Sequence, residues 1–315
     1  MKILVTGACG YKGTVLIPKL LKMGHSIVAI DIMWFGNFLE QHPQLKVLEF
    51  DIRNSLQSLD IDGFDAVIHL ASVANDPCSD LNPHISWEIS CLATMNLAEK
   101  ALRSGVKKFI YASSGSVYGI KSELQVTEDL ELVPISEYNK TKMVAERILM
   151  SYSDKMIVQI VRPETVCGFS PRMRLDVAVN LLTMQALTNG EMIILGGDQI
   201  RPNIHIEDVT DLYVYLLGRP DIQGPINAGF ENLSIREIAT LISNHIPSRI
   251  IVKESNDPRS YRLDSSKLLD SGFSPKKTVK DAVIEIAEKY KKGDLSNEVR
   301  WHNLKWMLER KVLNA

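Results

Sequence analysis

The chain has 315 residues, 45% of them hydrophobic and 23% charged, with a formal net charge of −2. That length buries a large core and fits one large or two moderate domains, and a near-neutral charge offers no basic field for nucleic acid or an anionic membrane. The absence of an apolar run near the ~18 residues that span a bilayer, of a secretory leader before the first strand-like run, of a CxxC pair among four scattered cysteines, and of HxxxH or HExxH spacing among seven histidines predicts a cytoplasmic protein with free thiols and no metal site.

The first half alternates β-branched runs with amphipathic stretches. KILVTG (2–7) reads as a buried strand and 11–23 as a helix, followed by strands at SIVAID (26–31), KVLEFDI (46–52) and AVIHLAS (66–72). A helix over 84–104, a strand at KKFIYASS (107–114), a helix over 137–152 and a strand at IVQIVRP (157–163) complete this region. Near-continuous apolar strands between helices argue for an α/β fold with a parallel sheet covered on both faces. After Pro163 the pattern loosens, with helices expected at 175–189, 207–217, 234–246 and 278–291. The expected organisation is a first domain over 1–168, to which 201–218 returns, and a smaller α/β substrate domain from 169–200 and 219–293. A charged helical tail follows over 294–315, whose Trp301 and Trp306 are expected to dock on the domain or on a partner.

VTGACGYKG places Gly7, Gly10 and Gly13 between a strand and a helix. Glycines there let the backbone turn sharply and approach a pyrophosphate seated on the helix N-terminus. Asp31, at the end of the second strand, is suited to accept hydrogen bonds from an adenosine ribose and to repel a 2′-phosphate, which favours NAD over NADP; Arg53 is the one nearby cation that would blur this preference. In ISEYNKTKMVAERIL, Tyr138 stands four residues before Lys142, so a helix puts both on one face. An ammonium beside a phenol favours its ionised form. Free tyrosine titrates near 10, and lowering that by about three units takes roughly 4 kcal/mol, which Lys142 and a positive nicotinamide ring are expected to supply together.

Several motifs agree in order with one family: TGACGYKG (6–13), Asp31, DI (51–52), HLAS (69–72), YASSGSVYG (111–119), YNKTK (138–142), VRPETVCG (161–168) and RPNIHIEDV (201–209). On these, over about 1–285, the chain resembles the extended short-chain dehydrogenases/reductases, in particular the nucleotide-sugar epimerases and dehydratases. The resemblance implies a Rossmann-type doubly wound sheet with a smaller C-terminal substrate-binding domain. It implies NAD held by Gly7, Gly10, Tyr11, Lys12 and Gly13, by Asp31 and Ile32, and by Asp51 and Ile52 at the adenine. Leu70, Ala71 and Ser72, then Ser113, Pro163 and Val166, would line the rest of the cofactor, with Tyr138 and Lys142 at the nicotinamide end. Ser114, Tyr138 and Lys142 fall at the family's catalytic positions.

For substrate, the resemblance implies Asn75, Ser114, Ser116 and Tyr138 at the sugar, and Asn180, Arg201 and Arg259 at a nucleotide diphosphate, with Arg262 the second choice after Arg259. Arg172 and Arg174 flank the same entry, as binding groups or as solvated surface charges. Tyr118 is expected near the nicotinamide or simply packed. Relatives that eliminate water or carbon dioxide carry an acid after the catalytic hydroxyl, and others carry a cysteine; Gly115 and Ser116 stand there instead. What remains is an NAD-dependent 4-epimerase that oxidises and re-reduces one sugar carbon. A reductase of a nucleotide-linked keto-sugar would use the same residues, and a non-enzymatic dinucleotide sensor is the third reading. A homodimer is expected through the helices 84–104 and 137–152, on apolar positions such as Ile85, Ile89, Leu92, Met143 and Ile148.

Overall fold

The computed structural model describes residues 1–53, 56–255 and 260–312. Its strands are β1 (Lys2–Thr6), β2 (Ser26–Asp31), β3 (Leu45–Glu49), β4 (Ala66–His69), β5 (Lys108–Ala112), β6 (Ile157–Pro163), β7 (Thr165–Cys167), β8 (Glu191–Leu195), β9 (Ile200–His205), β10 (Gly224–Ala228), β11 (Glu231–Ser234) and β12 (Arg249–Lys253). Seven of them form a parallel sheet in the order β10-β6-β5-β4-β1-β2-β3. β1, β4 and β5 are almost wholly buried, which is why their sequences read as continuous apolar runs.

Helices Gly13–Lys22 and Ile206–Leu217 cover one face of this sheet, and Ala93–Arg103 and Glu137–Met150 the other. From β1 the chain runs outward through β2 and β3, then returns to β4 on the opposite side of β1. That reversal leaves a crevice beyond the carboxyl ends of β1 and β4, the place where such sheets bind ligands. A second layer of structure pairs β7, β9 and β11, and separately β8 and β12, around a core that includes Val179, Ile194, Ile238 and Val283.

The structure differs from the sequence expectations in four places. β10 pairs with β6, so residues 224–228 complete the main sheet rather than the smaller domain. The helix expected over 84–104 is interrupted: Pro83–Trp87 and Ala93–Arg103 flank a wide π turn at Glu88–Leu92. Buried side chains act on this stretch, with Thr94 Oγ1 donating to Ser90 O at 3.0 Å and Ser90 Oγ 3.0 Å from Ser72 Oγ. The tail is not one helix but a short turn, Val299–Trp301, and a helix, Asn303–Arg310. It docks on its own chain: Trp301 is buried against Phe38, and Trp306 Nε1 donates to Trp34 O at 2.8 Å. Finally, Ile85 and Ile89 are buried in the chain's own core, and only Leu92 of that stripe is half exposed. Among the described residues no helix is long and apolar enough to cross a membrane.

Candidate active site

The crevice holds a cavity of about 490 Å³, a volume that suits a small-molecule ligand. Its floor is the turn after β1. Gly7 has φ +65°, a left-handed conformation, and a Cβ there would lie 2.6 Å from Ala71 N. Only glycine lets this turn pass so close to the segment after β4. Gly10 N donates to Gly7 O at 3.2 Å. Gly13 sits behind the cavity, where a Cβ would meet Ala8 O at 2.2 Å, so it serves helix packing rather than ligand contact. The other positions expected at the cofactor, Tyr11, Lys12, Asp31, Ile32, Asp51, Ile52, Leu70, Ala71, Ser72, Ser113, Pro163 and Val166, all line the cavity.

Asp31 accepts from Cys9 N at 2.9 Å and Met33 N at 2.7 Å. Burial raises its carboxyl pKa, while those N–H groups and Arg172 pull it down. Arg53 is turned away from this end: it clamps Asp51 with contacts of 2.7 and 3.0 Å and reaches Glu88 at 3.6 Å. The glycine turn opening onto a helix N-terminus, a carboxylate at the end of β2 and the volume beyond them fit a dinucleotide.

The helix Glu137–Met150 is started by Ser136, whose Oγ accepts from Asn139 N at 3.2 Å and donates to Asp76. It sets Tyr138 and Lys142 one turn apart on the cavity wall. Lys142 Nζ donates to Ala112 O at 2.8 Å and lies 5.9 Å from the Tyr138 ring centre. Ser114, at the end of β5, shares a 2.8 Å hydrogen bond with Ser116 Oγ, which donates to Asn139 Oδ1 at 2.5 Å. Behind this wall Glu146 accepts from Ser113 Oγ at 2.5 Å and from Arg162 at 2.6 Å, a buried pair that ties helix to sheet.

Without the cofactor's charge, burial pushes the Tyr138 phenol up to about 12; a hydrogen bond from Ser114 and the charge of Arg174 oppose the rise, and Asp76 and Glu164 add to it. Lys142 is itself held well below the usual lysine range, by burial and by Lys12. Loss of solvent penalises the charged phenolate, and the Lys142 ammonium is turned to a backbone carbonyl.

Of the residues expected at the substrate, Asn75, Ser116 and Arg201 line the cavity. Asn180 does not. It is fully buried, accepting from Gly168 N at 3.0 Å and donating to Arg174 O at 2.9 Å and Tyr11 Oη at 3.0 Å, so it shapes the wall from behind. Arg259 lies outside the described residues, and Arg262 is exposed away from the cavity. Arg172 and Arg174 are not solvated charges: Arg172 is buried 3.9 Å over the Phe35 ring, and Arg174 pairs with Asp176 at 3.0 Å. Asp176 in turn accepts from Asn75 at 3.1 Å. Tyr118 packs beneath the site, donating to Asn227 Oδ1 at 2.7 Å.

Asp76, expected with Asn75 at the sugar end of the cleft, lines the cavity; sequence reasoning missed Trp34, Phe35, Glu164, Asp176 and Tyr261, which line it too. The aromatic pair three and four residues after Asp31 was a legible signal. Glu164 and Tyr261 gave none, because they reach the site only through the packing of β6–β7 against a distant loop, where Tyr261 Oη donates to Glu164 Oε1 at 2.8 Å.

Residues 3–229 match the NAD dependent epimerase/dehydratase family. The chain is 28% identical to a UDP-glucose 4-epimerase of Lactobacillus helveticus, over 93% of its own length and 98% of the relative's. Among solved structures it resembles the UDP-glucuronic acid 4-epimerase of Bacillus cereus in complex with UDP-glucuronic acid and NAD, with a TM-score of 0.80 and 29% identity over 93% of this chain and 99% of that one. It also resembles TunA, an NAD-dependent NDP-hexosamine 5,6-dehydratase, with a TM-score of 0.83 and 25% identity over 92% and 98%.

Proposed function

This chain belongs to the NAD dependent epimerase/dehydratase family, and on that premise we propose that it is a nucleotide-sugar 4-epimerase. The observation that carries the reading is the wall shared by Ser114, Tyr138 and Lys142, set in the same cavity as the glycine turn and Asp31. Tyr138 takes the proton from the sugar 4-hydroxyl as that carbon is oxidised and returns it as the 4-keto sugar is reduced on its other face. Ser114 hydrogen-bonds the same oxygen and shares the charge that develops there. Bound NAD supplies the hydride acceptor and donor, and its positive ring adds the charge needed to bring the phenol down from its raised pKa. Lys142 is placed to hold the cofactor ribose beside Tyr138.

Uridine diphosphate sugars are the first substrates to test, since the relatives named above act on or bind them. Arg201 and Arg174 line the cavity, which supports them as the cations that meet a diphosphate. Two copies of the chain would pair across the outer faces of the helices at 83–103 and 137–150, which light scattering on the purified protein tests. For the reaction, protein purified without added cofactor is denatured and assayed for released NAD(H). Fresh protein is then incubated with UDP-, TDP-, GDP- and CDP-sugars. Bound NAD and a C4 epimer formed without added cofactor support the epimerase. An empty protein that turns over only a keto-sugar with added NAD(P)H overturns it in favour of a reductase.

A further inference from the structure

Gly115 and Ser116, directly after the catalytic serine, bring no acid to the sugar, but the fold brings one from elsewhere. Glu164 follows β6 at the bend into β7, held by its N–H donating to Ala228 O at 3.2 Å. Its carboxylate lies against Gly115: a Cβ built there would stand 1.6 Å from Glu164 Oε1 and 2.4 Å from its Cδ. Glu164 thus fills the side-chain space of the residue that adjoins Ser114. The same Oε1 accepts a hydrogen bond from Tyr261 Oη at 2.8 Å, and Glu164 lines the same cavity as Ser114 and Tyr138. A carboxylate in this place is more than the proposed C4 oxidation and reduction requires, since Tyr138 and Ser114 already serve that oxygen.

We propose that Glu164 is a second proton-transfer group, acting on the sugar C–H next to C4. This rests on the epimerase reading, because that C–H becomes acidic only once C4 is a ketone. Glu164 takes the proton; the C–H electron pair forms a carbon–carbon double bond to C4, and the carbonyl pair moves onto the oxygen held by Ser114 and Tyr138. Return of the proton from the Glu164 carboxylic acid restores the ketone. No oxidant or other reactant is consumed. Exchange of the carboxylic acid proton with water makes the carbon position exchangeable, and return to the opposite face inverts that carbon.

The test is turnover of the same UDP-, TDP-, GDP- and CDP-sugar panel in deuterium oxide, with nucleotide sugars recovered and their carbon-bound deuterium located by NMR. The quantity read is deuterium incorporated next to C4 per C4 epimer formed. The wild type is expected to incorporate label. Glu164→Gln is expected to lower that ratio by about 10²-fold or more, the usual contribution of a positioned acid–base group. Gly115→Ala gives a second route, since its methyl displaces the carboxylate without changing the acid, and is expected to lower the ratio as well. A C4 epimer without carbon-bound deuterium overturns this proposal and leaves the epimerase standing. Label that persists in Glu164→Gln overturns the assignment to Glu164. No turnover of any panel member overturns the epimerase reading, and this proposal with it.

Discussion

Arg172 Nη2 donates to Asn303 Oδ1 at 2.7 Å, joining the loop before the helix Ala178–Asn189 to the C-terminal tail 131 residues away. The same tail donates from Trp306 to Trp34 O, and Trp301 O accepts from Leu175 N at 2.7 Å. Trp34, Arg172 and Asn303 all line the cavity, so the tail fastens both sides of its cofactor end. Asn303→Ala removes a hydrogen bond to a buried guanidinium, a loss of about 2 kcal/mol. The expected outcome is a Tm lower by a few degrees together with less NAD retained through purification, read by thermal melting and by nucleotide release. Full retention at unchanged Tm would show that the tail is not a fastening.

Tyr138 bears the proposed proton transfer. Tyr138→Phe is expected to lower kcat about 10²-fold or more while the protein still binds cofactor. In protein stripped of nucleotide, the phenol is expected to ionise near pH 12, because burial pushes it up. Ultraviolet difference titration of wild type against Tyr138→Phe reads that midpoint, and re-addition of NAD is expected to lower it. A midpoint near 10 in the stripped protein would mean that burial does not hold the phenol neutral.

The pair Glu146–Arg162 is buried on both sides, with side chains 3% exposed. Removing one partner strands the other charge, so Glu146→Gln is expected to cost about 3 kcal/mol. Urea unfolding at an unchanged slope reads this as a lower midpoint. Replacing both, Glu146→Leu with Arg162→Met, is expected to recover much of the loss.

Lys12 lines the cavity, and its ammonium has no hydrogen-bond or ion-pair partner among the described residues. Burial, and then Arg174, lower its ammonium to about 8, whereas an unfolded lysine titrates near ~10.4. The unfolded chain therefore binds more protons between these values, and this residue's contribution to stability rises with pH across that window. Below pH 8 the charged form carries its full cost. Lys12→Met in stripped protein is expected to raise Tm below pH 8, with the advantage closing as pH rises toward 10. A gap between the two proteins that is constant across pH would assign the effect to packing instead.

The sequence by itself determined the features whose physics is local. Apolar runs of strand length between amphipathic stretches specify a parallel sheet covered on both faces. Gly7 specifies a turn no other residue makes, and the four-residue step from Tyr138 to Lys142 specifies one helix face. Tertiary structure alone decided which distant groups meet. It turned Asn180 into a strut, drew Arg172 under the tail, moved β10 into the main sheet, and set Glu164 in the space of Gly115. It also buried Tyr138, and a pKa follows the solvent a group loses as much as the charge placed beside it. Burial and contact between remote segments arise from packing, which no local periodicity encodes.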